Sequence, residues 1–179
     1  MRTLIRLLAS IIALLPGGCA AGKPLHTVEK VDLQRYLGDW YEIASFPNRF
    51  QKGCVASMAT YTLEPDGRIG VFNQCREKTL DGPVRSVRGT ARVVDTATNA
   101  KLKVTFFWPF YGSYWVIDLD PDYRWAVVGH PGRNYLWVLS RTPVLDTDVY
   151  EGILGRLRGQ DYDVTRLRRT PQLVSIGTP

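Results

Sequence analysis

Two histidines and three cysteines are almost everything this 179-residue sequence offers toward metal binding or nucleophilic chemistry. His26 and His130 stand far from the cysteines, so no His/Cys ligand set takes shape. There is no Gly-x-Ser-x-Gly elbow, His-Glu-x-x-His pair, phosphate-binding glycine loop or Cys-x-x-Cys, which removes the usual signs of hydrolase, metalloprotease, nucleotide and redox chemistry. Asp118, Asp120 and Asp122 alternate but lack the remaining ligands of a calcium loop, and read as a polar turn. Glu42 and Glu64 have no spacing that marks a glycosidase pair. Internal repeats and low-complexity tracts are absent. No catalytic residue, metal or cofactor is expected.

Long apolar runs are missing too. The longest at the start, Leu7 to Leu15, is nine residues, well short of the about 20 needed to span a bilayer as a helix. With Arg2 and Arg6 ahead of it, this run has the size of an export-signal core. Pro16-Gly17-Gly18-Cys19 follows, small residues before a cysteine, as in the bacterial lipoprotein processing signal. In that signal Cys19 becomes the lipidated first residue, although Pro16 stands where the signal prefers Leu. Cleavage after Ala21 by an ordinary signal peptidase is the alternative. Removing residues 1–18 leaves 161 residues, and without Arg2 and Arg6 the formal charge falls from +6 to +4. That surplus is too small and dispersed for nucleic acid. The densest basic area, Arg156, Arg158, Arg166, Arg168 and Arg169, reads as a solvated face or one brushing anionic headgroups. The expected organisation is a signal over 1–18, a lipidated Cys19 with a tether to 32, and one domain over 33–179.

What the chain has in quantity is strand character. Gly38 suits a tight entry turn, and Trp40, Tyr41 and Ile43 favour a packed strand. Trp40 either plugs one end of a sheet or is an ordinary buried indole. After Trp40–Ser45, residues 46–53 read as a loop. Strands are expected over Cys54–Glu64 and Arg68–Cys75, joined by Pro65-Asp66-Gly67. Then Val87, Gly89, Ala91 and Val93 alternate with Ser86, Arg88, Thr90 and Arg92, and Leu102, Val104 and Phe106 alternate with Lys101, Lys103 and Thr105. Phe107-Trp108-Pro109-Phe110-Tyr111-Gly112 reads as an aromatic loop. Ser113–Leu119, Tyr123–Gly129 and Tyr135–Ser140 bring the count to eight, and Leu173–Ile176 looks like a short final strand. One helix is expected at Thr147–Arg158, with Asp146 as N-cap, Gly159 as stop, and Val149, Ile153, Leu154 and Leu157 as its apolar stripe. Eight short antiparallel strands with hairpin turns suit an all-β up-and-down barrel whose interior takes one small ligand. A β-sandwich or a smaller, filled barrel is the alternative.

Cys54 and Cys75 flank the hairpin turn centred near Asp66, nearly opposite one another, and a one- or two-residue bulge would align them. An exported protein retains such a disulfide. Two free buried thiols are the alternative.

Three ordered blocks resemble the signature regions of the lipocalins: Gly38-Asp39-Trp40-Tyr41, Asp120 to Gly129, and Leu136 to Pro143. The aromatic loop, the Ser140-Arg141-Thr142-Pro143 ending and the signal-like start are similar, more narrowly, to the bacterial outer-membrane lipoprotein branch of Blc type. The resemblance implies an eight-stranded barrel with its C-terminal helix packed outside. It implies structural roles for Gly38, for Trp40 closing the narrow base, for Arg141 stacked over it, and for Asp120 and Tyr123 in the turn at that end. The loops at 46–53, 76–83, 107–112 and 130–134 then surround an open mouth, with Cys54 and Cys75 near its rim. Binding, storage or transport of lysophospholipids or fatty acids for envelope maintenance follows, as does anchoring through Cys19 on the periplasmic face of the outer membrane. Val71, Val87, Ala91, Val104, Phe106, Trp115 and Trp137 are the expected cavity wall. Phe46, Phe50, Trp108, Phe110 and Tyr111 are expected at the entrance, with Arg49 placed to meet a phosphate. The same aromatic mouth would also serve a homodimer. A lipid isomerase or hydrolase in the same barrel, or a filled structural barrel, are the competing functions.

Overall fold

A computed structural model describes residues 23–173. Cys19, the signal segment and residues 174–176 of the expected last strand lie outside the described residues. After a four-residue helix, α1 (Leu33–Tyr36), the strands are β1 (Gly38–Ser45), β2 (Cys54–Leu63), β3 (Ile69–Glu77), β4 (Val84–Val93), β5 (Lys101–Phe107), β6 (Phe110–Leu119), β7 (Trp125–Gly129) and β8 (Leu136–Ser140). Helix α2 (Thr147–Gly159) and a two-residue β9 (Arg168–Arg169) follow. From β1 to β8 each strand pairs antiparallel with the next, β8 pairs back with β1, and β9 adds to β1, so the sheet closes on itself. Closure removes the unpaired edges that an open sheet of this size exposes.

Two apolar cores share the barrel wall. Inside lie Trp40, Tyr61, Ile69, Val71, Ala91, Leu102, Val116, Val128 and Leu139. Between wall and α2 lie Ile43, Phe46, Ile117, Trp125, Val127, Val138, Tyr150, Ile153 and Leu157. Strand β7 is buried on both faces for this reason, with Ala126 and Val128 inward and Trp125 and Val127 under the helix.

Helix α2 starts as its sequence dictates: the Asp146 carboxylate accepts from the Asp148 N–H at 2.8 Å. It runs one residue past the expected end, with Gly159 as its last helical residue and Gln160 as the C-cap, its N–H bonded to the carbonyls of Arg156 and Leu157. The buried stripe is Tyr150, Ile153 and Leu157, with Val149 and Leu154 partly covered beside it.

The chain from residue 23 lies along the barrel rather than away from it. Leu25 and Val31 are buried, and the N–H groups of Val28 and Val31 donate to the carbonyls of Val116 and Thr98. At the other end of the domain, Thr170 N–H donates to Ile43 O and Ala56 N–H to Pro171 O, while the Gln172 amide reaches the carbonyls of Glu42 and Ser57. Residues 168–172 thus strap the zone where β1 has left β2, its pairing with β2 ending at Tyr41.

Several expected boundaries move. The aromatic loop is largely strand: β5 runs through Phe107 and β6 starts at Phe110, leaving Trp108-Pro109 as the turn, because aromatic side chains favour the extended backbone. Tyr123 belongs to the preceding turn, with φ +60°. Among the described residues the last strand is β9, and Leu173, the first residue of the expected final strand, is irregular.

Candidate functional site: a barrel cavity closed at one end

The base is closed by one indole and one guanidinium. Trp40 is fully buried, donates from Nε1 to the Tyr36 carbonyl at 2.8 Å, and has Arg141 lying 3.8 Å above its ring. Arg141 is held in that pose by the carbonyls of Asp39 and Arg35, both at 2.7 Å, and of Tyr123 at 3.3 Å. Gly38 enters the strand at φ +87°, a conformation L side chains rarely adopt, beside the Arg141 guanidinium. The neighbouring turn is fixed by Asp120, which is buried and accepts from Asp122 N–H, Arg124 N–H and the Arg124 guanidinium at 2.8 and 2.9 Å. Tyr123 accepts from Asp32 N–H at 2.8 Å and carries Arg35 over its ring at 4.1 Å. These are packing and tethering contacts.

Above this floor opens a cavity of about 920 Å³, within the range of small-molecule sites. Its apolar wall includes Ile69, Val71, Ala91, Leu102, Val104, Phe106, Val116, Val128 and Leu139. Gly89 leaves room for the Phe106 ring, since a Cβ there would stand 2.6 Å from it. Near the mouth the lining turns polar and cationic, with Asn48, Arg49, Gln51, Ser57, Asn73, Arg85 and His130. The Ser57 hydroxyl and the Asn73 amide oxygen are buried without a hydrogen-bond partner among the described residues. Burial, followed by the nearby Lys103 charge, lowers the His130 pKa below its ordinary value.

Gln51 ties the mouth to the wall. Its amide oxygen accepts from Trp137 Nε1 at 2.9 Å and Asn48 Nδ2 at 2.7 Å, and its amide nitrogen donates to Glu42. The Glu42 carboxylate is buried and also accepts from Ser45 and Thr170 hydroxyls. Glu64 stands past the base end of β2, so the two glutamates do not face each other.

The disulfide is formed between Cys54 and Cys75, with Cα atoms 5.5 Å apart, at the mouth end of β2 and β3. The cysteines are not aligned as expected. Cys54 sits opposite Glu77, and the bulge between Val55 and Met58 shifts the register by one residue only, so the bond runs diagonally.

Residues 31–172 match the lipocalin-like domain family. The chain belongs to the lipocalin family. It is 40% identical over 169 residues to outer membrane lipoprotein Blc of Escherichia coli strain K12, an alignment that covers 93% of this chain and 95% of that protein. Temperature-induced lipocalin-1 of Arabidopsis thaliana is 42% identical over 159 residues, 84% of each chain. Among solved structures, insecticyanin from the tobacco hornworm Manduca sexta superposes with a TM-score of 0.66 over 90% of this chain and 89% of that one, at 22% identity, a likeness of fold.

In this lipocalin the expected wall residues Val71, Val87, Ala91, Val104, Phe106 and Trp137 line the cavity, as do Arg49, Phe50, Phe110 and Tyr111 at its mouth. Trp115 does not. It packs on the outer core with Lys101 4.9 Å over its ring, because the inward positions of β6 are Tyr114 and Val116. Phe46 is also outside, buried against Tyr162 and under Arg166, as the chain leaving β1 turns toward the α2 side. Trp108 is at the hairpin tip, 81% exposed and off the cavity wall, with Phe107 and Phe110 beside it at 75% and 77%. Among the lining residues that went unread in the sequence are three tyrosines, Tyr36, Tyr61 and Tyr114. Tyr36 follows Asp32, which caps α1, and the spacing of Leu33, Tyr36 and Leu37 is the helical signal that marks it.

Proposed function

We propose that this lipocalin carries single-chain amphipathic lipids, lysophospholipids or fatty acids, at the periplasmic face of a bacterial outer membrane, anchored through Cys19. The observation that carries the reading is the cavity itself: about 920 Å³, sealed at Trp40, open at the opposite end, and apolar below a cationic mouth. An acyl chain is sheltered by the wall while its charged head stays at the wet rim, where Arg49 and Arg85 line the opening. A cavity of this size argues against a filled structural barrel. Near full-length similarity to outer membrane lipoprotein Blc supports the location and the anchor. A multi-chain lipid on Cys19 would hold the protein stably, since one acyl chain alone binds membranes only marginally. Mass spectrometry of protein purified from its own membrane reads both points. The expected result is a retained single-chain lipid in the native spectrum and an acylated Cys19 as the first residue. Protein recovered without lipid contradicts the cargo, and protein that begins after Ala21 contradicts the anchor.

A further inference from the structure

Three tyrosine hydroxyls form a chain at the deep end of the cavity. Tyr36 Oη lies 2.8 Å from Tyr114 Oη, which lies 3.0 Å from Tyr61 Oη. They come from α1, β6 and β2 and all three line the cavity, close above Trp40, whose ring centroid is 5.0 Å from that of Tyr36. Around them the wall is aliphatic: Val31, Ile69, Val71, Leu102, Val116 and Leu139.

Counting protons shows why this cluster is more than packing. Each phenol brings one O–H donor and acceptor lone pairs. Two bonds join three hydroxyls and use two of the three protons. Tyr114 donates to Tyr61, so its own bond to Tyr36 is one it accepts, and the Tyr61 hydroxyl keeps a proton with no acceptor inside the chain. A buried donor left unmet is costly, and phenylalanine would give the same ring packing without that cost. Burial holds Tyr36 and Tyr114 far above the ordinary tyrosine range, reinforced at Tyr114 by both neighbouring phenols, and pushes Tyr61 up to about 12 against the lowering effect of its hydrogen bond from Tyr114, so all three stay neutral. Arg141, the guanidinium whose charge acts on Tyr36, lies against Trp40 at the base and does not line the cavity. A carboxylate at this depth would be desolvated without a lining cation. A neutral oxygen would meet the spare proton at no such penalty.

We propose that this tyrosine chain is a subsite for a neutral oxygen on the far part of a bound acyl chain, a hydroxyl or keto group, so that the lipocalin selects oxygenated single-chain lipids. The proposal rests on the carrier reading and names the cargo more narrowly. In a purely apolar cavity a hydroxyl added to the tail weakens binding, because a polar group is buried without a partner. With the subsite, the penalty disappears at the position that reaches the tyrosines.

The test compares stearate with stearates carrying a single hydroxyl at successive positions from mid-chain to the terminus, titrated below their micelle concentrations. Replacing an end tyrosine still leaves a spare proton and replacing Tyr114 leaves two unpaired hydroxyls, so the variant is the triple Tyr36→Phe, Tyr61→Phe, Tyr114→Phe. The parent protein is expected to bind one distal hydroxystearate at least as tightly as stearate. In the triple variant the preference for that hydroxystearate over stearate falls roughly three- to tenfold, the worth of one net hydrogen bond. If the variant also loses stearate, the position scan on the parent protein decides, and a distinct optimum near the tail supports the subsite. A hydroxyl that weakens binding at every position overturns the proposal and leaves the carrier reading intact, as does an unchanged preference in a variant that still binds stearate. Failure of the parent protein to bind any of these lipids overturns both.

Discussion

Trp40 has no solvent contact and four distinct claims on its position: a strand that starts at a glycine, an indole N–H bonded to Tyr36 O, the Tyr36 ring on one side and the Arg141 guanidinium over its face. Truncating it opens a void at the floor and strips Arg141 of its ring. Trp40→Ala is expected to lower unfolding free energy by ~3–5 kcal/mol, the range for a large buried aromatic, in denaturant titrations. A variant as stable as the parent would contradict the assigned base. Asp120 at the same end supplies a pH signature. Hydrogen bonds from the Arg124 guanidinium, and then from the turn's N–H groups, hold its carboxyl below the ordinary range. The unfolded chain then binds the proton more readily, so the stabilisation is present above the ordinary Asp pKa of about 4 and is lost as pH falls through the depressed value. Asp120→Asn should flatten the acid limb of the stability–pH curve; an unchanged limb would show that Asp120 does not contribute there.

At the scale of elements, alternation was legible where strands are half-buried and silent where they are not. In β4 and β5, Ala91, Leu102, Val104 and Phe106 fall inward as period two requires. Strand β6 defeats the same reading. Tyr114 and Trp115 are adjacent aromatics, one of which must face each way, and the sequence favours the indole as the apolar wall. The protein places the phenol inside because its hydroxyl meets Tyr36 and Tyr61, partners that come from distant parts of the chain. A bulge between Val116 and Asp118 then resets the parity within the same strand. In β7 the unbroken apolar run reflects burial on both faces, which no alternation can report. The three signature blocks, the helix and the cysteine pair were readable because each is local or ordered along the chain. The expected bulge in β2 is present, but it brings Cys54 only one residue nearer Cys75 and leaves the pair out of register. The bond itself should appear as one linked peptide in a non-reducing map and contribute ~3 kcal/mol in the chain-entropy account. Separate alkylatable Cys54 and Cys75 peptides would contradict it.

For the whole molecule, the arrangement follows from one wall serving two cores. The outer core fastens α2 and frees the interior from having to hold the fold together by side-chain filling. The strap at 168–172 and the segment from residue 25 close the barrel along its length, while the β5–β6 hairpin leaves its aromatics exposed beside the opening. A small hydrophobic ligand therefore enters from one end, and its buried length sets the affinity. The central claim, a cavity that takes one acyl chain, is tested most directly by titrating monomeric single-chain lipids of increasing length. Each added CH₂ is worth ~0.8 kcal/mol, roughly a fourfold gain in affinity, so the account predicts a steady tightening to micromolar or better, then a plateau once the cavity is full. Binding that does not depend on chain length, or no binding by any member of the series, would contradict it.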